Sequence, residues 1–324
     1  MPAAPLTSTP PTAKPSPATP PPFRGRIGHD ARSGYYAASR RYRLHLSLSC
    51  PHCLRIAVTH SLLGLGEVLP VILLPAVPDS PDGGYSALRP LYEATAHRHP
   101  GPAAAPVLSD DWTGRIVSTH TPDILRDLTR PFGAHGPDLA ALHPPGAQEE
   151  IEAVGRLCEY GIDEAAQHAG RADADATERR RALGTLLRVL GSLERLLTVQ
   201  PFVLGDAPTA ADVRVWVALV QLDTVHRLHL DAAAVHRVAD HPRLWLYARR
   251  LTAHPAFGGN LDLEGIARRH HGHCRGLEAA GAAVQIIDWA GQIPDGATGG
   301  PSPRAMDGFM KPQYALHLPP SGSA

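Results

Sequence analysis

The stretch RYRLHLSLSCPHCLR, residues 41–55, decides how this chain is read. From Arg43 to Ser49, Leu44, Leu46 and Leu48 alternate with polar residues, the period of two that marks a short strand. Pro51 follows, and proline suits the first turn of a helix, where its missing N–H has no bond to lose. Leu54, Val58, Leu62 and Leu65 carry that helix onward at spacings of three and four, with Gly66 as its expected end. Two thiols therefore flank the point where a strand hands over to a helix. At Cys50 a thiolate meets the positive end of the helix dipole and free backbone N–H groups, which favour the ionised, nucleophilic form. A protonated His52 would lower the pKa further, and Cys53 lies close enough to resolve a mixed disulfide on Cys50. A zinc half-site is the competing reading, but no second C-x-x-C or spaced histidine pair follows at finger spacing.

Outward from this junction the pattern alternates. Val68 to Leu74 reads as a compact apolar strand of the kind buried on both faces. A loop rich in Pro, Gly and Asp, a short helix around Ala87 to Thr95, a hairpin turning between Asp110 and Gly114, and a helix near Pro122 to Leu128 complete the unit. The order β-α-β-α-β-β-α predicts an α/β domain over residues 23–130. At Ala105-Pro106-Val107 a cis X-Pro bond would expose a backbone amide and carbonyl beside the thiol, for pairing with a peptide-like thiol.

Residues 131–146 carry Pro131, Pro137, Pro144 and Pro145 and read as a linker. Residues 147–290 are helical in pattern. Leu183, Leu186, Leu190, Leu193 and Leu197 form one apolar stripe. Thr209 and Asp212 make an Asp version of the capping box, and Val213 to Leu222 is apolar nearly all round, as the centre of a bundle would be. The ends, residues 1–22 and 291–324, are dominated by Pro, Ala, Thr, Ser and Gly and are expected to be disordered tails.

Composition excludes several classes. The 324 residues hold 31 Lys plus Arg and 31 Asp plus Glu, a balance with no electrostatic footprint for nucleic acid or an anionic membrane. No apolar stretch is long enough to span a bilayer. Four cysteines are too few for a disulfide scaffold in a chain this long, and the N-terminus lacks a basic-then-apolar signal. A cytoplasmic protein with reduced thiols is expected.

Other conspicuous residues have plainer readings. Cys158 and Trp216 belong to the core, and Glu178 to Arg181 is a solvated helix face. On a helix, His270 shares a face with His273 and Cys274 while His271 points elsewhere, so a ligand pair is geometrically possible. With 19 histidines in the chain some bunching is expected, and the lining of an acceptor pocket is preferred to a metal site.

Together these features resemble the glutathione transferase superfamily, in which a thioredoxin-like domain precedes an all-helical one. More narrowly, the chain resembles the glutathionyl-hydroquinone reductases, a cysteine-type branch, from about Phe23 to Trp289. Arg41 to Pro51 matches that family's approach to its nucleophile, with Arg55 where the family keeps arginine. Leu91 to Thr95, Pro106 to Asp110 and Ile116-Val117 keep its order, and Leu204 to Asp212 resembles its folding motif. The resemblance implies that Cys50 is the nucleophile and that Pro106 is the cis-proline positioning a thiol cosubstrate. It implies cosubstrate contacts from Ala105, Val107, His120, Thr121 and Arg55, and an acceptor pocket near Gln167, His226, His270 and His271. The cosubstrate would be glutathione or another low-molecular-weight thiol, the partner an electrophile or quinol conjugate, the assembly a possible homodimer, with no metal.

Three departures stand out. His52-Cys53 replaces the family's Trp-Ala, making C-P-H-C, the motif of dithiol disulfide oxidoreductases. His120-Thr121 replaces the acid-serine pair that grips the γ-glutamyl end, and histidines or glutamine replace the tyrosines that polarise the quinol oxygen. A composition rich in Ala, Arg, Pro and Gly also suggests a high-GC genome, many of which use mycothiol. A dithiol oxidoreductase and a catalytically silent binding module are thus the alternatives to a thiol transferase.

Overall fold

The computed structural model describes residues 21–28, 34–132, 142–274 and 285–289. The predicted C-terminal tail, nearly all of the N-terminal one, and residues 133–141 of the expected linker lie outside the described residues.

The N-terminal domain is a four-stranded sheet in the order β2-β1-β3-β4. Strand β1 (Tyr42–Leu46) leads into helix α1 (Pro51–Leu62), and β2 (Val71–Leu73) returns parallel to it. Helix α2 (Arg89–Thr95) connects to β3 (Val107–Asp110), which runs antiparallel to β1 and to β4 (Arg115–Ser118), and α3 (Thr121–Asp127) follows. Leu44 and Leu46 are fully buried, each contributing roughly 1.5–3 kcal/mol. His45, on the other face, reaches the Ser109 hydroxyl of β3 at 3.0 Å. At the start of β1 the buried Arg41 forks onto Asp110, both contacts at 2.9 Å, and stacks against Tyr36, Tyr42 and Trp112.

Two local expectations are corrected. Helix α1 ends at Leu62, because Gly64 takes a left-handed conformation (φ 62°) that breaks the ladder before Leu65. Strand β2 is short and lies at the sheet edge, with Ile72 37% and Leu73 61% exposed, so it is not buried on both faces. An apolar run shows that a strand forms, but its place in the sheet order decides what covers it.

The second domain is helical: α4 (Gln148–Cys158), α5 (Glu164–Gly170), α6 (Ala176–Val199), α7 (Ala210–Thr224), α8 (Ala232–Ala239), α9 (Pro242–Thr252), α10 (Pro255–Gly258) and α11 (Leu263–Cys274). Helix α7 is its centre, touching α4, α9 and α11 and also α1 of the first domain. Its entry is the predicted capping box, with Thr209 accepting from the Ala211 amide and Asp212 accepting from the Thr209 amide at 2.7 Å. Asp212 also takes hydrogen bonds from the Val203 amide (2.9 Å) and the Tyr247 hydroxyl (2.7 Å). At the other end Asp223 accepts from the Ile286 amide (2.7 Å) and the Trp289 indole (2.8 Å), which ties residues 285–289 back onto α7. Cys158 and Trp216 are core residues, and Glu178 to Arg181 is exposed. Among the described residues no helix is long and apolar enough to cross a membrane.

Candidate active site

Cys50 is the N-cap of α1, with extended backbone (φ −93°, ψ 126°), and Pro51 occupies the first turn. Its carbonyl accepts from the Leu54 amide at 2.8 Å, so the residue is the hinge between strand and helix. The approach is pinned from the side: the Ser47 and Ser49 hydroxyls lie 2.9 Å apart and reach the carbonyls of Pro75 and Ala76. Cys50 is 6% exposed and Cys53 fully buried, so the dithiol lies at the floor of the site.

The Cys50 thiol is pushed down to about 5. The largest cause is the Cys53 thiol donating to its sulfur, opposed by burial and helped by the Cys53 amide, His52 and Arg269. Burial and the neighbouring Cys50 charge drive Cys53 the opposite way, well above the usual thiol range. One sulfur is thus favoured as thiolate and the other is its hydrogen-bond donor. Replacing Cys53 separates these roles. Cys53→Ala removes the donor and will raise the Cys50 pKa by at least about one unit, worth about 1.4 kcal/mol. Cys53→Ser keeps a hydroxyl donor and will hold it near the wild-type value. Alkylation rate against pH reads both, and equal curves for the two variants would disprove the donor role.

His52 plays a smaller part than its position suggests. Burial and then the Arg55 guanidinium, whose Nη2 is 2.6 Å from His52 Nδ1, lower the imidazole pKa. Nδ1 accepts from Arg55, and the lowered pKa favours the neutral ring over the protonated one that would act on Cys50. Arg55 itself is surrounded by His52, Asp163, Arg214 and Cys158, on the side of α1 facing the helical domain.

The sheet gathers the other predicted residues. The Ala105–Pro106 bond is cis, as the sequence required for its proposed role. Val107 pairs with His45, so Pro106 stands opposite the end of β1 that leads into Cys50. Ser118 pairs with Leu108, which brings the end of β4, and with it His120 and Thr121 at the start of α3, to the same edge. His120 Nδ1 lies 3.0 Å from the buried Asp123 carboxylate, which also receives the Arg24 guanidinium at 2.8 Å.

The predicted acceptor residues are less unified. Gln167 is exposed on α5 and does not line the 360 Å³ cleft formed by Tyr160, Glu164, His168 and Arg181. His271 is exposed on α11, whereas His226 and His270 are buried. Burial first, then His229 and His270, push His226 down to about 4. Sequence reasoning missed Arg269 and Tyr85. Arg269 donates to the Tyr85 hydroxyl at 2.9 Å, lies 3.5 Å from the Ala76 carbonyl, and acts electrostatically on Cys50 from the other domain. No local spacing marks a pair so distant in sequence.

A thioredoxin-like sheet with a cysteine at the first helix, a cis-proline opposite it and a covering helical domain defines a class of thiol proteins. The family model described as "Glutathione S-transferase, C-terminal domain" matches residues 175–250. The chain is 25% identical over 262 residues to the glutathionyl-hydroquinone reductase YqjG of Escherichia coli, covering 76% of this chain and 79% of that protein. The glutathione-bound structure of YqjG superposes with a TM-score of 0.69 at 24% identity, over 82% and 94% of the two chains. The glutathionyl-hydroquinone reductase PcpF of Sphingobium chlorophenolicum is 26% identical over 265 residues, covering 77% and 82%. A glutathione transferase of Gordonia bronchialis has a TM-score of 0.68 at 27% identity, over 78% and 82%. Over about three quarters of its length the chain is thus similar to glutathionyl-hydroquinone reductases, and residues 175–250 match the glutathione S-transferase C-terminal domain.

Proposed function

We propose that this protein is a thiol-dependent transferase and reductase in which Cys50 attacks the sulfur of a glutathionyl-type conjugate. The observation that carries the reading is a thiol held as thiolate at a helix N-terminus, opposite a cis X-Pro bond. The relatives' names supply the conjugate class, a glutathionyl hydroquinone.

In the first step a sulfur–sulfur bond forms between Cys50 and the conjugate while the carbon–sulfur bond breaks. The aryl carbon leaves with the electron pair and takes a proton from water, so the quinol is released reduced and the two sulfurs are oxidised to a mixed disulfide. In the second step a free thiol attacks that disulfide, restores the Cys50 thiolate and departs as a disulfide. Ala105, Pro106 and Val107 align the cosubstrate backbone, and His120 and Thr121 face its other end. Arg55 acts by holding His52. The acceptor side is assigned to α5 and α11, where Gln167 and His271 are exposed. His226, neutral at neutral pH, is not the proton donor.

The Cys53 thiol bonded to Cys50 favours a second route from the same intermediate. Once Cys50 carries glutathione its charge is gone, and with it one cause of the raised Cys53 pKa. Cys53 can then displace the thiol and leave a Cys50–Cys53 disulfide. Intact mass after exposure to glutathione disulfide tests both routes. Cys53→Ser will retain one glutathionyl adduct on Cys50, whereas wild type will convert to the internal disulfide. Release of hydroquinone from a glutathionyl hydroquinone, with glutathione in excess, tests the transferase reading directly. No adduct on Cys50 and no release would overturn it.

A further inference from the structure

Helix α11 and the 3-10 turn His226–His229 bring three ligand-type side chains to one point. Cys274 Sγ lies 3.6 Å from His229 Nε2, and 3.5 and 3.7 Å from the two ring nitrogens of His270. One ligand atom from each of the three falls within 4.8 Å of the others. The His229 and His270 rings meet edge to face, with centroids 5.0 Å apart. Spacing explains the convergence. His270 and Cys274, four apart on α11, share a helix face, while His226 and His229, three apart in a 3-10 turn, project to the same side.

A tetrahedral zinc ion, with Zn–S about 2.3 Å and Zn–N about 2.0–2.1 Å, separates its sulfur and nitrogen ligands by about 3.6 Å. The sulfur–nitrogen distances here already match that figure, and a turn of the His270 ring presents either nitrogen. We propose that His229, His270 and Cys274 form a binding site for a zinc-class divalent cation. Thiolate and imidazole ligands select such an ion over magnesium or calcium, which prefer oxygen. The fourth position goes to water or to His226, which is close enough to His229 and His270 for their charges to act on it. Binding releases the Cys274 proton to solvent and moves no electrons. Cys274 is partly exposed, which leaves the ion a path in. Arg269 immediately precedes His270, so ligation would also fasten the helix that carries this guanidinium toward Cys50.

The test of the site reads metal rather than turnover. The full chain, reduced and stripped with a chelator, is titrated with Co²⁺ as a spectroscopic substitute for zinc. One equivalent should give intense visible bands of tetrahedral cobalt and a near-ultraviolet thiolate charge-transfer band, both erased by Zn²⁺. Because Cys50 and Cys53 could also ligate cobalt, the titration is repeated with both changed to Ser, and the signal should persist. Cys274→Ser should abolish the charge-transfer band and weaken zinc binding at least about 100-fold, since even changes outside the ligand shell cost 10–100-fold. His229→Gln, a milder change to the turn, should weaken binding similarly, with circular dichroism confirming the fold. No band in wild type would overturn the site. A band that survives Cys274→Ser but vanishes with Cys50→Ser and Cys53→Ser would place the metal at the dithiol instead.

Discussion

Cys50→Ser will abolish glutathione-dependent turnover, lowering it by about 10⁴-fold or more, the scale on which loss of a covalent nucleophile acts. The reason is ionisation. A serine hydroxyl in the same place has no thiolate to offer, and the Cys53 donor and Arg269 field that lower the Cys50 pKa cannot ionise an alcohol at neutral pH. The fold should be untouched, because the change is nearly isosteric and a serine oxygen can still accept from the Cys53 thiol and amide. Turnover, the mass adduct and circular dichroism measured together check this. The wild-type pH profile adds a second test. With its pKa lowered to about 5, Cys50 is already ionised at neutrality, so alkylation should rise through that midpoint and stay flat across neutral pH. A midpoint near the ordinary thiol value of about 8.5, or more than a tenth of wild-type turnover in Cys50→Ser, would refute the assignment.

Asp212→Ala will cost about 3–5 kcal/mol of stability. The carboxylate is fully buried and receives the Val203 amide, the Thr209 amide and hydroxyl, and the Tyr247 hydroxyl. Alanine leaves these donors without their acceptor in the bundle centre, at about 1–3 kcal/mol for each buried group. It also removes the capping box of α7, the helix on which both domains pack. Against a total of about 5–15 kcal/mol this is a large fraction, and the melting temperature should fall by about 10 °C. Asp212→Asn, which still accepts from part of the set, should fall by less. Thermal unfolding decides it, and a shift of under about 2 °C for Asp212→Ala would show that the network is dispensable.

The two predictions draw on different layers of information. The strand–proline–helix junction at Cys50 and the capping box at Thr209 and Asp212 are legible because their signals span four residues or fewer. So are the leucine stripe of α6 and the apolar girth of α7, which follow the helical period. Gly64 escaped because Gly66 and Leu65 continued the pattern two residues further, and only the left-handed φ shows where the ladder stops. The exposure of Ile72 and Leu73 was equally hidden, since an edge strand and a central one share the same apolar composition.

From the sequence by itself come the candidate thiol, its dithiol partner, the proline that faces it, and the order of an α/β domain before a helical one. Each depends on backbone preference and side-chain period within a few residues. The tertiary structure alone decided that Cys53 rather than His52 chiefly lowers the Cys50 pKa, because a hydrogen bond depends on where two sulfurs are held. It alone brought Arg269 to Tyr85 and within electrostatic reach of Cys50, and His229 to His270 and Cys274. Such meetings depend on how α11 crosses the rest of the protein, a packing outcome set by the buried surfaces of many residues at once.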